Sequence, residues 1–407
     1  MESEKVLAAF ESALEREQPN IVLVSTYLMY RDLCERMCAL TDKRRIPVLL
    51  GGPYFAQPEI IAEWIRIPGV SALAAGEVEL HVPEIVAGLL AGQDVTRVPG
   101  IFALDQDGGL SGTIAPPLRD LDSVPFPDFS DFPWSRYPNR IAPIATGRGC
   151  GWGVCTFCSD ITSTAGRTFR SRSGENVLAE LREHHKSFGV QEVVFTDLKL
   201  NSDLAVWRAL LTGFQQAVPG GHWVAGVHVG QVEGQENGLS ATDLRAAAAS
   251  GCVRLTTGLE TGSQRVADLM RKGTRIERTG EFLAAASAAG ISPRCTMVLG
   301  YPGEEAQDVD ASARFLREHE SHIHRVSLNR FAMMTGTAAH RMYERKRGEL
   351  PDISAVEPAH ALGALSHHYD RASEPAYRRA VMRLLEAVHS INSRDLPAQA
   401  RRFEGVM

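Results

Sequence analysis

From Ile141 to Phe331 six apolar runs alternate with five amphipathic stretches, and no other feature constrains the fold of this chain as tightly. The runs Ile141–Thr146, Val193–Asp197, Trp223–Val229, Val253–Gly258, Arg294–Gly300 and Val326–Phe331 have the composition of strands buried on both faces. Between them, Ser173–Lys186, Leu204–Phe214, Ser240–Ala249, Arg275–Ala289 and Glu304–His319 space their apolar residues as helices do, with Ser173 and Ser240 placed as N-caps. The pattern predicts an α/β fold, a partial (β/α)6 barrel over 141–335 that is open on one side. In such barrels ligands gather on the loops at the carboxyl ends of the strands.

The first of those loops is unusual in composition. It runs Gly147-Arg148-Gly149-Cys150-Gly151-Trp152-Gly153-Val154-Cys155-Thr156-Phe157-Cys158, with three cysteines inside nine residues. Three thiolates on one short loop suit an iron–sulfur cluster that keeps one iron uncovered by protein. A zinc site would want a second ligand pair, and no second CxxC occurs. The remaining alternative is three buried thiols that only pack. Cys252 and Cys295, beside or within strands, read as core thiols, and Cys34 and Cys38, one helical turn apart, as a shared buried face.

Charge narrows the partners. The 407 residues carry 43 basic and 49 acidic side chains without a basic block, which disfavours nucleic acid. Seven irregularly spaced cysteines fit a reducing compartment, and no apolar run is long enough to span a bilayer. The expectation is a soluble, cytoplasmic protein with no membrane partner.

Upstream, residues 1–111 show a second alternation. A helix over 5–17 precedes the strand Ile21–Thr26, a helix Asp32–Leu40, the strand Pro47–Leu50 running into Gly51-Gly52-Pro53, a helix Pro58–Ile65 and the strand Val70–Ala75 before Gly76-Glu77. This predicts a small parallel sheet of Rossmann type. Residues 112–140 hold six prolines and four phenylalanine or tryptophan residues, so they read as an extended connector packed on the following domain by its aromatics. The segment 336–407 reads as helical, most clearly over Pro375–Ile391.

The cysteine loop resembles that of the radical SAM (S-adenosylmethionine) superfamily, with C-x4-C-x2-C standing where C-x3-C-x2-C is usual. Gly151 and Gly153 are expected to absorb the extra residue through positive φ. Arg170-Ser171-Arg172-Ser173, Gly258-Leu259-Glu260-Thr261-Gly262-Ser263 followed by Met270-Arg271-Lys272-Gly273, and Gly300-Tyr301-Pro302-Gly303-Glu304 resemble motifs of the superfamily branch that carries a cobalamin-binding domain. The amino-terminal sheet resembles the second half of that domain. Only twenty residues precede Ile21, so the first strand and the Asp-x-His-x-x-Gly loop that supplies a cobalt ligand are missing, and cobalamin binding is expected to be weak or absent.

The resemblance implies a [4Fe–4S] cluster on Cys150, Cys155 and Cys158 with SAM on the open iron. It places Phe157 near the adenine, Glu260 and Ser263 at the ribose hydroxyls, Thr196 and Asp197 at the methionine amino group, and Arg172 at its carboxylate. Gly300 and Tyr301 fall in the turn after the fifth strand. His228, at the end of the third strand, faces the barrel mouth and is the histidine to test. The implied activity is transfer of a SAM-derived methyl or 3-amino-3-carboxypropyl group to a small-molecule acceptor, with electrons from a flavodoxin or ferredoxin. The alternatives are hydrogen abstraction by a 5′-deoxyadenosyl radical, cobalamin-dependent methyl transfer, and an RNA-modifying methylthiotransferase, the last disfavoured because no basic segment follows residue 331.

Overall fold

A computed structural model describes residues 2–159, 168–230, 236–345, 350–359 and 363–406. The amino-terminal part opens with α1 (Glu2–Glu17), followed by β1 (Val22–Ser25), α2 (Arg31–Asp42), β2 (Val48–Gly51), α3 (Pro58–Trp64), β3 (Val70–Ala74) and α4 (Val82–Leu90). The three strands pair in parallel, and a hairpin of β4 (Ile101–Leu104) and β5 (Leu110–Gly112) extends the sheet antiparallel beyond β3. That hairpin was not expected, although Asp105 folds its turn by accepting the amides of Asp107 and Gly109. Cys34 and Cys38 lie buried with Leu50, Ile60 and Trp64, as the shared-face reading held.

The connector packs as its composition suggested. Phe129 meets Phe132, Trp134, His184 and Phe188 edge-on, so the proline-rich chain is fastened to the first barrel helix by aromatic contacts.

The barrel follows: β6 (Ile141–Ile144), the short β7 (Gly147–Arg148) and β8 (Arg170–Ser171), α5 (Gly174–Phe188), β9 (Glu192–Phe195), α6 (Leu204–Ala217), β10 (His222–Val227), α7 (Ala241–Ala249), β11 (Cys252–Glu260), α8 (Gln264–Leu269), α9 (Ile276–Ala288), β12 (Ser292–Leu299), α10 (Ala306–Glu318) and β13 (Arg325–Arg330). Six of these strands form one open parallel sheet in the order β13-β12-β11-β10-β9-β6, so each crossover helix returns the chain to the next strand. Its core joins Trp207, Phe214 and Trp223 with Leu255, Leu283 and Leu316, and Cys252 and Cys295 are buried within it. Ser173 accepts the Asn176 amide and Ser240 forms a capping box with Asp243, which fixes where α5 and α7 begin.

After β13 come β14 (Met333–Met334), α11 (Ala338–Arg345), β15 (Ile353–Ala359), β16 (Ala364–Tyr369), α12 (Pro375–Asn392) and α13 (Ala398–Arg401). The long helix matches the reading of 375–391. Before it, β14, β16 and β15 make a three-stranded antiparallel sheet, which the helical pattern of 336–407 did not show. The turn at Gly363 rests against Leu28 and Ile60 of the amino-terminal part, and Gln57 donates to the Thr335 carbonyl at 2.9 Å. No helix among the described residues is long and apolar enough to cross a membrane.

Candidate active site at the barrel mouth

The cysteine loop leaves β6 through Thr146, whose amide and hydroxyl both donate to the Asp197 carboxylate, at 3.0 and 2.8 Å. Pairing of β7 with β8 closes the base of the loop as a narrow ribbon. Of the two glycines in the longer first gap, Gly153 (φ +59) takes a left-handed conformation and Gly151 does not, while Gly149 (φ +82), just before Cys150, does. A Cβ on Gly149 would collide with the Thr168 carbonyl.

The far side of the loop is seated on residues 269–273. The Thr156 amide donates to the Met270 carbonyl at 2.9 Å, the Trp152 indole to the Arg271 carbonyl at 2.9 Å, and the Thr156 hydroxyl bonds Tyr301 Oη at 2.6 Å. Trp152 stacks on His228 with centroids 5.8 Å apart and passes over Gly273, where a Cβ would strike the indole.

Within this frame Cys155 is buried while Cys150 and Cys158 are partly exposed. Burial pushes the Cys155 thiol up to about 11, partly opposed by the ammonium of Lys272. Three thiols on a loop pinned at both ends, at the carboxyl end of β6, fit a multi-iron cluster, whose corners spread its ligands apart. Among the described residues no three His, Cys, Asp or Glu side chains converge as a single-ion metal site.

The other anticipated residues gather at the same mouth with defined partners. Glu260 pairs with Lys272 at 2.9 Å, both side chains being almost wholly buried. Ser263 donates to Asp308 at 2.6 Å. Tyr301 belongs to the loop seat, and the Gly300 amide donates to Glu304 at 2.7 Å. Phe157 packs with Tyr301 and Phe331 in the cluster around Met270. Thr196 is exposed toward the cleft described below, while Asp197 is buried under Thr146 with its carboxyl raised by desolvation.

Arg172 stands apart. Its three nitrogens go to Asn176, to the Ala145 carbonyl and to Glu180, so the guanidinium is already committed within the barrel. His228 is likewise occupied: Gly230 donates to Nδ1, which leaves the proton on Nε2 facing the Lys272 carbonyl. Burial, with Lys272 and Lys199 nearby, drives its pKa down to about 3, so the ring is neutral.

Two residues escaped the sequence reading. Lys272 was quoted only as part of a motif. Lys199, after β9, is half-buried, and burial lowers its ammonium pKa while Cys150 opposes the shift.

A cleft of about 580 Å³ adjoins the loop. One wall is the carboxyl ends of β1–β3, with Leu23, Ser25, Tyr27, Gly51, Gly52 and Gly76, and the other is Gly147–Gly149 with Thr196–Leu198. Leu23, Tyr27 and Leu198 are 49, 50 and 44 % exposed, an apolar lining with nothing of the described chain over it. Ion pairs brace the walls: Glu77 holds Arg170 at 2.8 Å and Arg148 at 3.2 Å, and Arg148 reaches Glu79 at 2.8 Å.

Comparison with known proteins agrees with this geometry. Residues 144–316 match the model of the radical SAM superfamily. An uncharacterised methyltransferase of Pyrococcus horikoshii is 25 % identical over 75 % of this chain and 65 % of its own length. The cytidylyl-2-hydroxyethylphosphonate methyltransferase of Streptomyces wedmorensis is 26 % identical over 54 % of this chain and 44 % of its own. The chain thus spans about two thirds of the first relative and under half of the second. Among solved structures, the radical SAM methyltransferase TsrM of Kitasatospora setae superposes with a TM-score of 0.73 at 15 % identity, over 94 % of this chain and 81 % of that one. The cobalamin-dependent radical enzyme OxsB, with cobalamin and SAM bound, gives 0.74 at 16 % identity, over 98 % of this chain and 64 % of that one. Residues 144–316 are thus a radical SAM domain, in a chain whose fold is similar to those of TsrM and OxsB.

Proposed function

We propose that this protein transfers a methyl group from SAM to a small-molecule acceptor, with a corrinoid held in the interdomain cleft. One observation carries the reading. Gly147, Arg148 and Gly149 line the cleft and lead directly into Cys150, so the cleft and the cysteine loop form one continuous site. Together, a bound cluster, SAM and corrinoid supply methyl transfer to acceptors that lack a nucleophilic atom.

The residues divide the work by position. Cys150, Cys155 and Cys158 hold the cluster, and the Thr156–Tyr301 bond keeps their loop seated. Phe157 and Thr196 would contact SAM at the mouth. With Arg172 committed to Glu180, the cation for the SAM carboxylate is Lys199, whose ammonium makes no hydrogen bond or ion pair among the described residues and lies near Cys150. Glu260 and Ser263 shape the ribose side of the pocket from their fixed pairs with Lys272 and Asp308. The apolar residues Leu23, Tyr27 and Leu198 would cover a corrinoid face beside Gly51. Among the described lining residues there is no histidine, and a guest here would be held by shape and apolar contact. A flavodoxin or ferredoxin is the electron donor, and the acceptor is a small molecule of specialised metabolism.

The test is anaerobic reconstitution with iron, sulfide and hydroxocobalamin, followed by mass spectrometry of the products formed from SAM. The expected result is S-adenosylhomocysteine that depends on added cobalamin, with one corrinoid retained through desalting. Methylthioadenosine would instead identify 3-amino-3-carboxypropyl transfer, and 5′-deoxyadenosine alone would identify hydrogen abstraction.

A further inference from the structure

The buried pair under the cysteine loop has no part in the reading above beyond shape, yet the fold goes to some length to build it. Glu260 ends β11 with φ +61, in the left-handed region that non-glycine residues seldom occupy, and the ladder to β12 slips between Gly258 and Glu260. Such a conformation is strained and persists only where the surroundings enforce it. The slip brings the carboxylate to 2.9 Å from Lys272 Nζ. At Gly258 any Cβ would collide with both Glu260 Oε1 and Lys272 Nζ, so the glycine is there to make room for the pair. Lys272 Nζ also lies 5.8 Å from the ring centroid of Phe157, the residue between Thr156 and Cys158.

We propose that Lys272 is a positioning residue that sets the reduction potential of the cluster held by Cys150, Cys155 and Cys158, its ammonium outweighing the Glu260 carboxylate beside it. The inference rests on the cluster reading above. Taking up one electron from the donor adds a negative charge to the cluster. A buried cation nearby stabilises that reduced form and makes the electron easier to place, whereas a buried anion opposes it. Both charges sit in the same desolvated layer, with side-chain exposures of 10 and 8 %. Of the two charged groups, Lys272 Nζ reaches the loop itself, standing over the Phe157 ring next to Cys158. The main chain fixes the ammonium's base, because the His228 ring donates to the Lys272 carbonyl at 2.9 Å and the Trp152 indole to that of Arg271.

The experiment compares the full-length protein with Lys272→Gln, Glu260→Gln and the double variant, each reconstituted anaerobically. Iron content is measured first, and cluster potential is then read by an EPR-monitored titration without SAM. Lys272→Gln should lower the reduction equilibrium at least about tenfold, which is ~59 mV more negative for a one-electron couple, and Glu260→Gln should shift it the opposite way. The double variant should fall between the two and below the unmodified protein. A merely structural pair would lose iron in both single variants without opposite shifts. Loaded clusters whose potentials do not move, or move in the same direction, would overturn the inference alone. If Lys272→Gln loads no iron, the double variant decides, since it buries no unpaired charge: a potential at or above that of the unmodified protein overturns the proposal. An unmodified protein that takes up no iron would remove the cluster reading and this inference with it.

Discussion

The Glu304 carboxylate accepts the Tyr377 hydroxyl at 2.7 Å, joining the turn after β12 to α12 across 73 residues of chain. The same oxygen takes the Gly300 amide, so one buried acid ties the Gly300-Tyr301 turn at the barrel mouth to the carboxyl-terminal helix.

Burial raises the Glu304 carboxyl to about 7, more than its two hydrogen bonds lower it. The native state therefore binds more protons than the unfolded chain between about pH 4.5 and 7. The stability that this group contributes is fully present below that window and is lost as pH rises through about 7. Relative to Glu304→Gln, whose amide oxygen keeps both hydrogen bonds, the unmodified protein should lose roughly 3 kcal/mol at most between acid and neutral pH. Thermal melts of both proteins across this range check it; a difference in Tm that stays constant would contradict the burial argument.

Thr156 and Tyr301 should behave as a coupled unit. Each retains a carbonyl partner without the other, Met270 for the threonine and Leu269 for the tyrosine. Thr156→Val and Tyr301→Phe should each cost about 1 kcal/mol, and the double variant should cost less than their sum. Faster iron loss on desalting should accompany both. Strict additivity would show that the 2.6 Å bond contributes nothing.

At the opposite end of the barrel, Arg254 is 1 % exposed and donates to the carbonyls of Phe403 and Ala400. Phe403 in turn packs on Val194 and Val224. Arg254→Met should destabilise by about 2–3 kcal/mol and open the carboxyl-terminal turn to proteolysis. Iron content should not change, because the amino ends of the strands lie away from the cysteine loop. Parallel loss of iron would mean that the two ends are coupled.

Glu77 is the centre of the interdomain bridge, buried among Arg170, Arg148 and the Leu118 amide. Glu77→Gln removes the carboxylate that Arg170 and Arg148 share, although Arg148 keeps Glu79, and should cost about 3 kcal/mol. Corrinoid retention should fall with it, because Glu77 also lines the cleft. Full retention of corrinoid would separate the bridge from the cleft.

The strands and the cysteine loop were legible because they depend on residues adjacent in sequence: apolar runs such as Ile141–Thr146, Val193–Asp197 and Val253–Gly258, and thiols three and five residues apart. The role expected of Arg172 was not legible, because its competitor Glu180 lies eight residues on, one helix face away. Lys272 stood in a recognised motif, but nothing local says that a bulge in β11 turns Glu260 toward it. The β15–β16 hairpin is held by β14 and by the turn at Gly363 against Leu28, partners remote in sequence. The β4–β5 hairpin did carry a local signal, Asp107-Gly108-Gly109 between apolar runs, that went unread.

The amino-terminal part is tied to the rest of the chain at two separate places, by Glu77 with Arg148 and Arg170 and by Gln57 with Thr335 and Gly363. A body pinned at two points resists swinging about either one, so a change that loosens one tie should make the width of the cleft variable.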